Sequence, residues 1–192
     1  MSSLAWHCLH HSELDTATLY ALLALRTQVF VVEQNCSYLE TDGQDLVGDT
    51  CHLLARDESG LVGYLRLLDP QRMEGEVVIG RVVIAERARG TGLGHRLMEQ
   101  ALLECHQRWP GVPVYLSAQA HLQGYYGRYG FAAVTEVYLE DDIPHIGMRR
   151  ACGPAAGSTQ LRLQLAGLAE VNSAVVAHSG WSMNGLRLPW KL

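Results

Sequence analysis

The segment between Glu76 and Met98 constrains this chain more than any other. A β-branched run, Val77-Val78-Ile79-Gly80-Arg81-Val82-Val83-Ile84, leads through residues 85–88 into Arg89-Gly90-Thr91-Gly92-Leu93-Gly94. Leu93, Leu97, Ala101, Leu102 and Cys105 then recur at helical spacing. Gly90, Gly92 and Gly94 take side chains away from the turn that enters this helix, so backbone N–H groups there can meet an anion without interference from Cβ atoms. The first amides of a helix lack internal acceptors and sit at the positive end of its dipole. A pyrophosphate is the natural guest, and Arg89 adds a fixed cation. Two familiar phosphate loops do not fit. A Walker loop needs Gly-Lys-Ser/Thr, and a dinucleotide loop needs GxGxxG after the first strand of a βαβ unit, whereas GxGxG here follows several strands.

Around this unit the pattern is mixed. Residues 3–8 read as a short strand. Ser12 or Asp15 offers an N-cap, and Leu19, Leu22, Leu23, Arg26, Val29 and Phe30 predict a helix over about 16–32. Residues 34–49 carry Gly43, Gly48 and several acids and read as a long loop. Strands at 50–56 and 61–68 flank Asp57-Glu58-Ser59-Gly60, which has turn chemistry, so they form a hairpin. The β-branched run at 77–84 is the third strand of this group. A helix over about 92–108 is stopped by Pro110 and Gly111. A strand at 112–116, a short helix at about 119–129 and a strand at 131–139 follow, and a last strand at about 145–150 comes after a break at Asp142-Ile143-Pro144. The order β-α-β-β-β-α-β-α-β-β predicts a mixed α/β fold, one central sheet flanked by helices.

Composition narrows the function classes. With 48% hydrophobic and 18% charged residues, a packed core is expected in one domain, 1–150. The net charge of −5 argues against strong affinity for nucleic acid or an anionic membrane. Cys8, Cys36, Cys51, Cys105 and Cys152 are widely spaced and form no CxxC pair, so they read as reduced thiols rather than a zinc site or disulfide framework. The N-terminus lacks the basic and apolar regions of a signal peptide, and no stretch reaches the roughly 18 apolar residues of a membrane span, so a cytoplasmic protein is expected. Residues 151–192 open with Ala151-Cys152-Gly153-Pro154, carry a charge of +2 and read as an accessory tail with little order, available for a homodimer contact.

Two motifs carry a family resemblance. Arg89, Gly92 and Gly94 form an Arg-x-x-Gly-x-Gly pattern. Downstream, Gln119-Ala120-His121-Leu122-Gln123-Gly124-Tyr125-Tyr126-Gly127-Arg128-Tyr129-Gly130-Phe131 looks like Asn-x-x-Ala-x-x-Leu-Tyr-x-x-x-Gly-Phe, with Gln119 in place of the Asn. Both resemble motifs of the GNAT N-acetyltransferases. The segments Tyr20 to Gln34, Asp42-Gly43-x-Asp45, Ile79-Gly80-Arg81-Val82 and Ile143 to Met148 further resemble the ElaA-like branch, over residues 5–150.

The resemblance implies the GNAT acyl-CoA N-acyltransferase fold, with a mixed, mostly antiparallel sheet. It implies acetyl-CoA as cosubstrate, no metal, and a small-molecule or peptide amine as acceptor. Backbone groups of Val82, Val83 and Ile84 would hold the pantetheine arm. Arg89, Gly90, Thr91, Gly92, Leu93 and Gly94 would hold the pyrophosphate, with Gln119 also on the cofactor side.

The family reaction is direct attack of an amine on the thioester. The acceptor ammonium, with a pKa of about 10.4, must first lose a proton, and the departing thiolate needs an acid. Tyr126 is expected as that acid and Glu33 as the base, with His52, His121 and His145 as alternatives. Arg26, Asp42, Asp45 and Arg81 are expected at the acceptor site. Arg26, Arg66 and Arg81 sit in otherwise apolar segments and are expected to pair with loop carboxylates. Two rivals remain at this point. Arg26, Phe30, Asp42, Asp45 and Arg66 also resemble positions of acyl-homoserine-lactone synthases, which a lactone search with acyl carrier protein and S-adenosylmethionine would reveal. A non-catalytic acyl-CoA sensor would bind the cofactor without turnover.

Overall fold

A computed structural model describes residues 4–36 and 38–151; residues 152–192 of the expected tail lie outside them. Alternation along the strands sets the two faces of the sheet. Leu53 of β2 (Cys51–Asp57), Leu65 and Leu67 of β3 (Gly60–Leu68) and Ile79 of β4 (Val77–Ile84) point to one side. There they pack under Leu97, Met98, Ala101 and Leu102 of α2 (Leu93–Arg108). Leu54, Tyr64 and Val83 point the other way and meet Leu22 of α1 (Thr16–Arg26). A sheet that is apolar on both faces needs a helix on each, and this one has them. Leu22, Leu97 and Met98 are fully buried, so truncating any one to Ala costs about 2–5 kcal/mol.

The remaining elements are β1 (Ala5–His10), β5 (Val114–Gln119), α3 (Gln123–Gly127), β6 (Ala132–Glu140) and β7 (Ile143–Arg150). The seven strands run in the order β1-β2-β3-β4-β5-β7-β6. All neighbours are antiparallel except β4 and β5, which α2 connects in parallel. That parallel ladder has two residue pairs, Val77 with Val114 and Val78 with Tyr115. Beyond them the strands part. A second irregularity lies close by. Tyr64 is opposite Val83 and Arg66 opposite Gly80, so β4 carries one more residue than β3 across that span. Arg81 sits in this bulge with φ 55°, a left-handed backbone that costs a non-glycine residue about 1–3 kcal/mol.

The first strand runs Ala5–His10 rather than 3–8, and four further boundaries differ from the sequence reading, each for a local reason. The helix expected over about 16–32 is helical through Glu33, but only residues 16–26 are α-helical. Thr27–Glu33 winds as a wider π-turn, in which the Gln34 N–H donates to Val29 O at 3.0 Å. The apolar spacing fits either winding, so periodicity did not separate them. β5 starts at Val114, after Pro113, and extends to Gln119. The helix expected over 119–129 is a 3₁₀ turn, Ala120–Leu122, followed by the short α3. β7 begins at Ile143, not beyond Pro144, because Asp141 and Asp142 form a two-residue turn with φ 49° and 61°. Pro144 is tolerated there because the β5 ladder ends at His145, so its missing N–H removes no bond from that side.

Candidate active site

Where β4 and β5 part, a cavity of about 480 Å³ opens. Val78 to Val82 form one wall and Tyr115 to Gln119 the other. Tyr126 and Leu122 close one end, while Phe30, Gln34, Tyr38 and Asp42 come from the first helix and its loop. Glu140, Asp141, Ile143 and His145 supply the rim from the β6–β7 turn. The cavity therefore exists because a parallel pair stops after two residues and a bulge bends β4 away.

The glycine turn is open. Gly90 and Gly92 have φ 75° and 81°, and a Cβ added at either would meet nothing within 4 Å. No side chain caps α2 at Gly92, and the Gly92 carbonyl accepts from the His95 and Arg96 N–H groups at 3.1 and 3.3 Å. The amides ahead of His95 thus have no intrahelical acceptor. Gly94 is tighter: its Cβ position lies 3.3 Å from the Tyr125 hydroxyl. Thr91 donates its hydroxyl to Ala88 O at 2.7 Å, which fixes the turn. Leu93 is buried against Ala55 and Val62, so only its backbone can face a ligand. These residues fit a phosphate-bearing guest: an unblocked cradle, free amides and a nearby guanidinium.

Tyr126 is 7% exposed, packed edge-on to Phe131 and Tyr125, and lines the cavity. Burial, with a smaller contribution from Tyr125, pushes its hydroxyl up to about 12. It stays protonated at neutral pH, as a proton donor must.

Behind the wall lies a buried ionic cluster. Arg26 is fully buried, ion-pairs with Glu40 and donates to Asp45 at 2.6 Å, and its guanidinium lies over the Tyr64 ring at 5.7 Å. Arg66 donates to Asp42 at 2.6 Å and Asp45 at 2.7 Å. Arg81, re-aimed by the bulge, donates to Asp42 at 3.0 Å and lies 2.9 Å from Glu40 without hydrogen-bond alignment. Three guanidiniums thus face three carboxylates. Burial pushes the Asp42 carboxyl up, but hydrogen bonds from Arg66 and the Gln44 N–H, with the Arg66 and Arg81 charges, outweigh it and hold it well below the usual range. Burial also pushes Asp45 up, and Arg26 and Arg66 together bring it down.

The expected site residues therefore divide. Tyr126, Gln119, Val82, Arg81 and Asp42 line the cavity. Arg26 and Asp45 do not; the cluster holds them behind the wall, where they support Arg66 and Arg81. Val83 is core, packed on α1. Glu33 lies outside the cavity and ion-pairs with Arg89 at 2.5 Å. His52 is sealed between the Tyr64 hydroxyl at 2.8 Å and Asp45 O at 2.9 Å, and burial pushes its pKa down to about 4. Three residues escaped the sequence reading: Glu40, Tyr138 and Glu140. Glu40 sits in a loop without periodicity. On the rim, the Ser117 hydroxyl lies 2.6 Å from that of Tyr138 and donates to Glu140 at 2.9 Å. Only the alternation of β6 marks Tyr138 and Glu140 as sharing a face.

The comparisons with known proteins agree with this geometry. Residues 27–152 match the acetyltransferase (GNAT) domain model. Protein ElaA of Escherichia coli K12 is 54% identical over 145 residues, covering 76% of this chain and 95% of that one. A crystal structure of an acyl-CoA N-acyltransferase from Pseudomonas aeruginosa is 69% identical, with TM-score 0.76 over 78% of this chain and all of that one. The crystal structure of Escherichia coli ElaA superposes with TM-score 0.74 at 53% identity, covering 77% and 99%. A family model spanning well over half the chain, a parted β4–β5 pair and an open glycine turn lead to one conclusion: this protein is a GNAT acyltransferase of the ElaA-like branch.

Proposed function

We propose that the protein transfers an acetyl group from acetyl-CoA to a primary amine by direct attack. The observation that carries this reading is the cavity beside parted β4, lined by both Val82 and Tyr126, together with the uncapped glycine turn that enters α2. In this reading the pyrophosphate rests on the amides of residues 90–94. The half-exposed Arg89 turns from Glu33 toward it, since a doubly charged pyrophosphate outcompetes a single carboxylate. The pantetheine arm lies along Val82 and Ile84 as an added strand, using backbone groups that the bulge and the missing β5 partner leave available. The thioester then stands near Tyr126. A backbone N–H of the bulge polarises its carbonyl, and Tyr126 protonates the departing thiolate.

Glu140 and Asp141 give the rim negative charge, while the guanidiniums of Arg66 and Arg81 are neutralised by their own partners. This favours a cationic amine over an anionic acceptor. The test is thiol release from acetyl-CoA with a panel of primary amines, for the wild type and Tyr126→Phe. Amine-dependent release that falls on removal of the hydroxyl is the expected result. Binding of acetyl-CoA without release to any amine refutes the reading.

A further inference from the structure

The cavity holds one histidine, and its ring is set in a particular tautomer. His145 lines the cavity from β7. Its Nδ1 lies 2.9 Å from the backbone carbonyl of Ile143. A carbonyl only accepts, so Nδ1 carries the proton and Nε2 presents its lone pair. Among the described residues no hydrogen bond occupies Nε2. The ring is held in place by stacking on Tyr138, with centroids 6.4 Å apart and planes at 29°. It is opposed by Gln119 on β5, which is neutral, and by Tyr138 on β6. Glu140 and Asp141 stand at the same rim.

The other bases are spent elsewhere. Glu33 is outside the cavity on Arg89. Asp42 accepts from two guanidiniums, and Asp45 lies behind the wall. His52 has both ring nitrogens engaged in the core. Glu140 accepts from Ser117.

We propose that His145 is the general base of the transfer, taking through Nε2 a proton from an acceptor ammonium that Glu140 and Asp141 draw to the rim. This rests on the N-acetyltransferase reading above. The freed amine nitrogen attacks the thioester carbonyl carbon and the C–N bond forms. As the C–S bond breaks, the sulfur takes a proton from Tyr126, which is restored by the second proton lost from nitrogen. The proton on His145 passes to solvent, so each turnover yields an amide, a free thiol and one released proton.

The test compares two nucleophiles as probes, 1,4-diaminobutane and hydroxylamine, with thiol release from acetyl-CoA corrected for the uncatalysed reaction. An alkylammonium near pKa 10.4 is about one part in a thousand neutral at pH 7.4 and needs the base. Hydroxylamine is mostly neutral there and does not. For His145→Gln, whose amide can still donate to Ile143 O, the diamine rate falls on the order of 100-fold. The hydroxylamine rate changes by less than about threefold, and the diamine deficit shrinks about tenfold per pH unit as the free amine accumulates. His145→Asn serves as a second variant, with acetyl-CoA affinity and thermal midpoint as checks of folding. Equal losses with both nucleophiles, or no loss with either, overturn the assignment. A wild type that releases thiol to neither probe instead brings down the transferase reading itself.

Discussion

Replacing Arg26 with Met tests whether the buried ionic cluster holds the cavity wall. Arg26 is fully buried and serves Glu40 twice, through an ion pair and a bond to its backbone carbonyl at 2.9 Å, and Asp45 once at 2.6 Å. Methionine fills much of the volume but leaves two carboxylates short of a cation. Breaking a buried pair from one side costs about 3–5 kcal/mol. Here the lower end applies, because Asp45 keeps Arg66 at 2.7 Å and Glu40 keeps Arg81 at 2.9 Å. For a domain near 150 residues, about 3 kcal/mol lowers the thermal midpoint by about 6–12 °C. The sign of the pH dependence is fixed. In the wild type the folded-state pKa of Asp45 lies below its unfolded value. With the Arg26 guanidinium gone, the largest influence opposing burial is lost and the pKa of Asp45 rises from its wild-type value, so the penalty is full at neutral pH and fades as pH falls through the carboxylate range. The gap between the midpoints of wild type and Arg26→Met should therefore narrow as pH is lowered from 7.5 into the carboxylate range, and Glu40→Gln added to Arg26→Met should regain part of the loss. A neutral-pH loss below about 2 °C, or a gap that widens in acid, would refute the reasoning.

Three further outcomes are expected. Gly92→Asp combines a side chain at φ 81° with a negative charge on the phosphate cradle; acetyl-CoA binding by calorimetry should weaken by more than about 100-fold while the fold survives, the position being open. Tyr126→Phe removes only a hydroxyl, so kcat should fall about 10²-fold with acetyl-CoA affinity nearly unchanged. His52, held near pKa 4 against 6.5 for the free side chain, stabilises the fold fully above pH 6.5 and loses that contribution as pH falls toward 4. Denaturant titrations should show about 2 kcal/mol lost between pH 6.5 and pH 5 that is absent in His52→Gln.

Much of the fold was legible because its signals are local. The strand at 77–84 and the helix after Gly92 appear at nearly the residues where alternation and helical spacing put them. The glycine turn could be read as an anion cradle because three missing side chains at a helix start have few other uses. The expectation that Arg26, Arg66 and Arg81 meet loop acids also matches the structure, since a guanidinium in an apolar run has to find a carboxylate. What local pattern could not give was pairing across the sheet. Which acids the loop turns inward depends on the loop's path, so Glu40 went unseen while Asp42 and Asp45 were noticed. The cavity depends on a ladder that ends after two pairs, and nothing in Val114 or Tyr115 announces that. His145 looked no different from His52 in the sequence. Only the register beside Gln119 and the Ile143 carbonyl tell a cavity histidine from a core one.

The short seam between β4 and β5 has a mechanical meaning. Two leaves of the sheet are stitched at one end and part at the other, as the jaws of a clothes-peg do. An extended guest along β4 would supply main-chain bonds that β5 does not make there. Such a guest would tighten the peg, adding about 2.7 kcal/mol at a concentration a hundredfold above its Kd. Recognition of the donor and completion of the architecture would then be the same event.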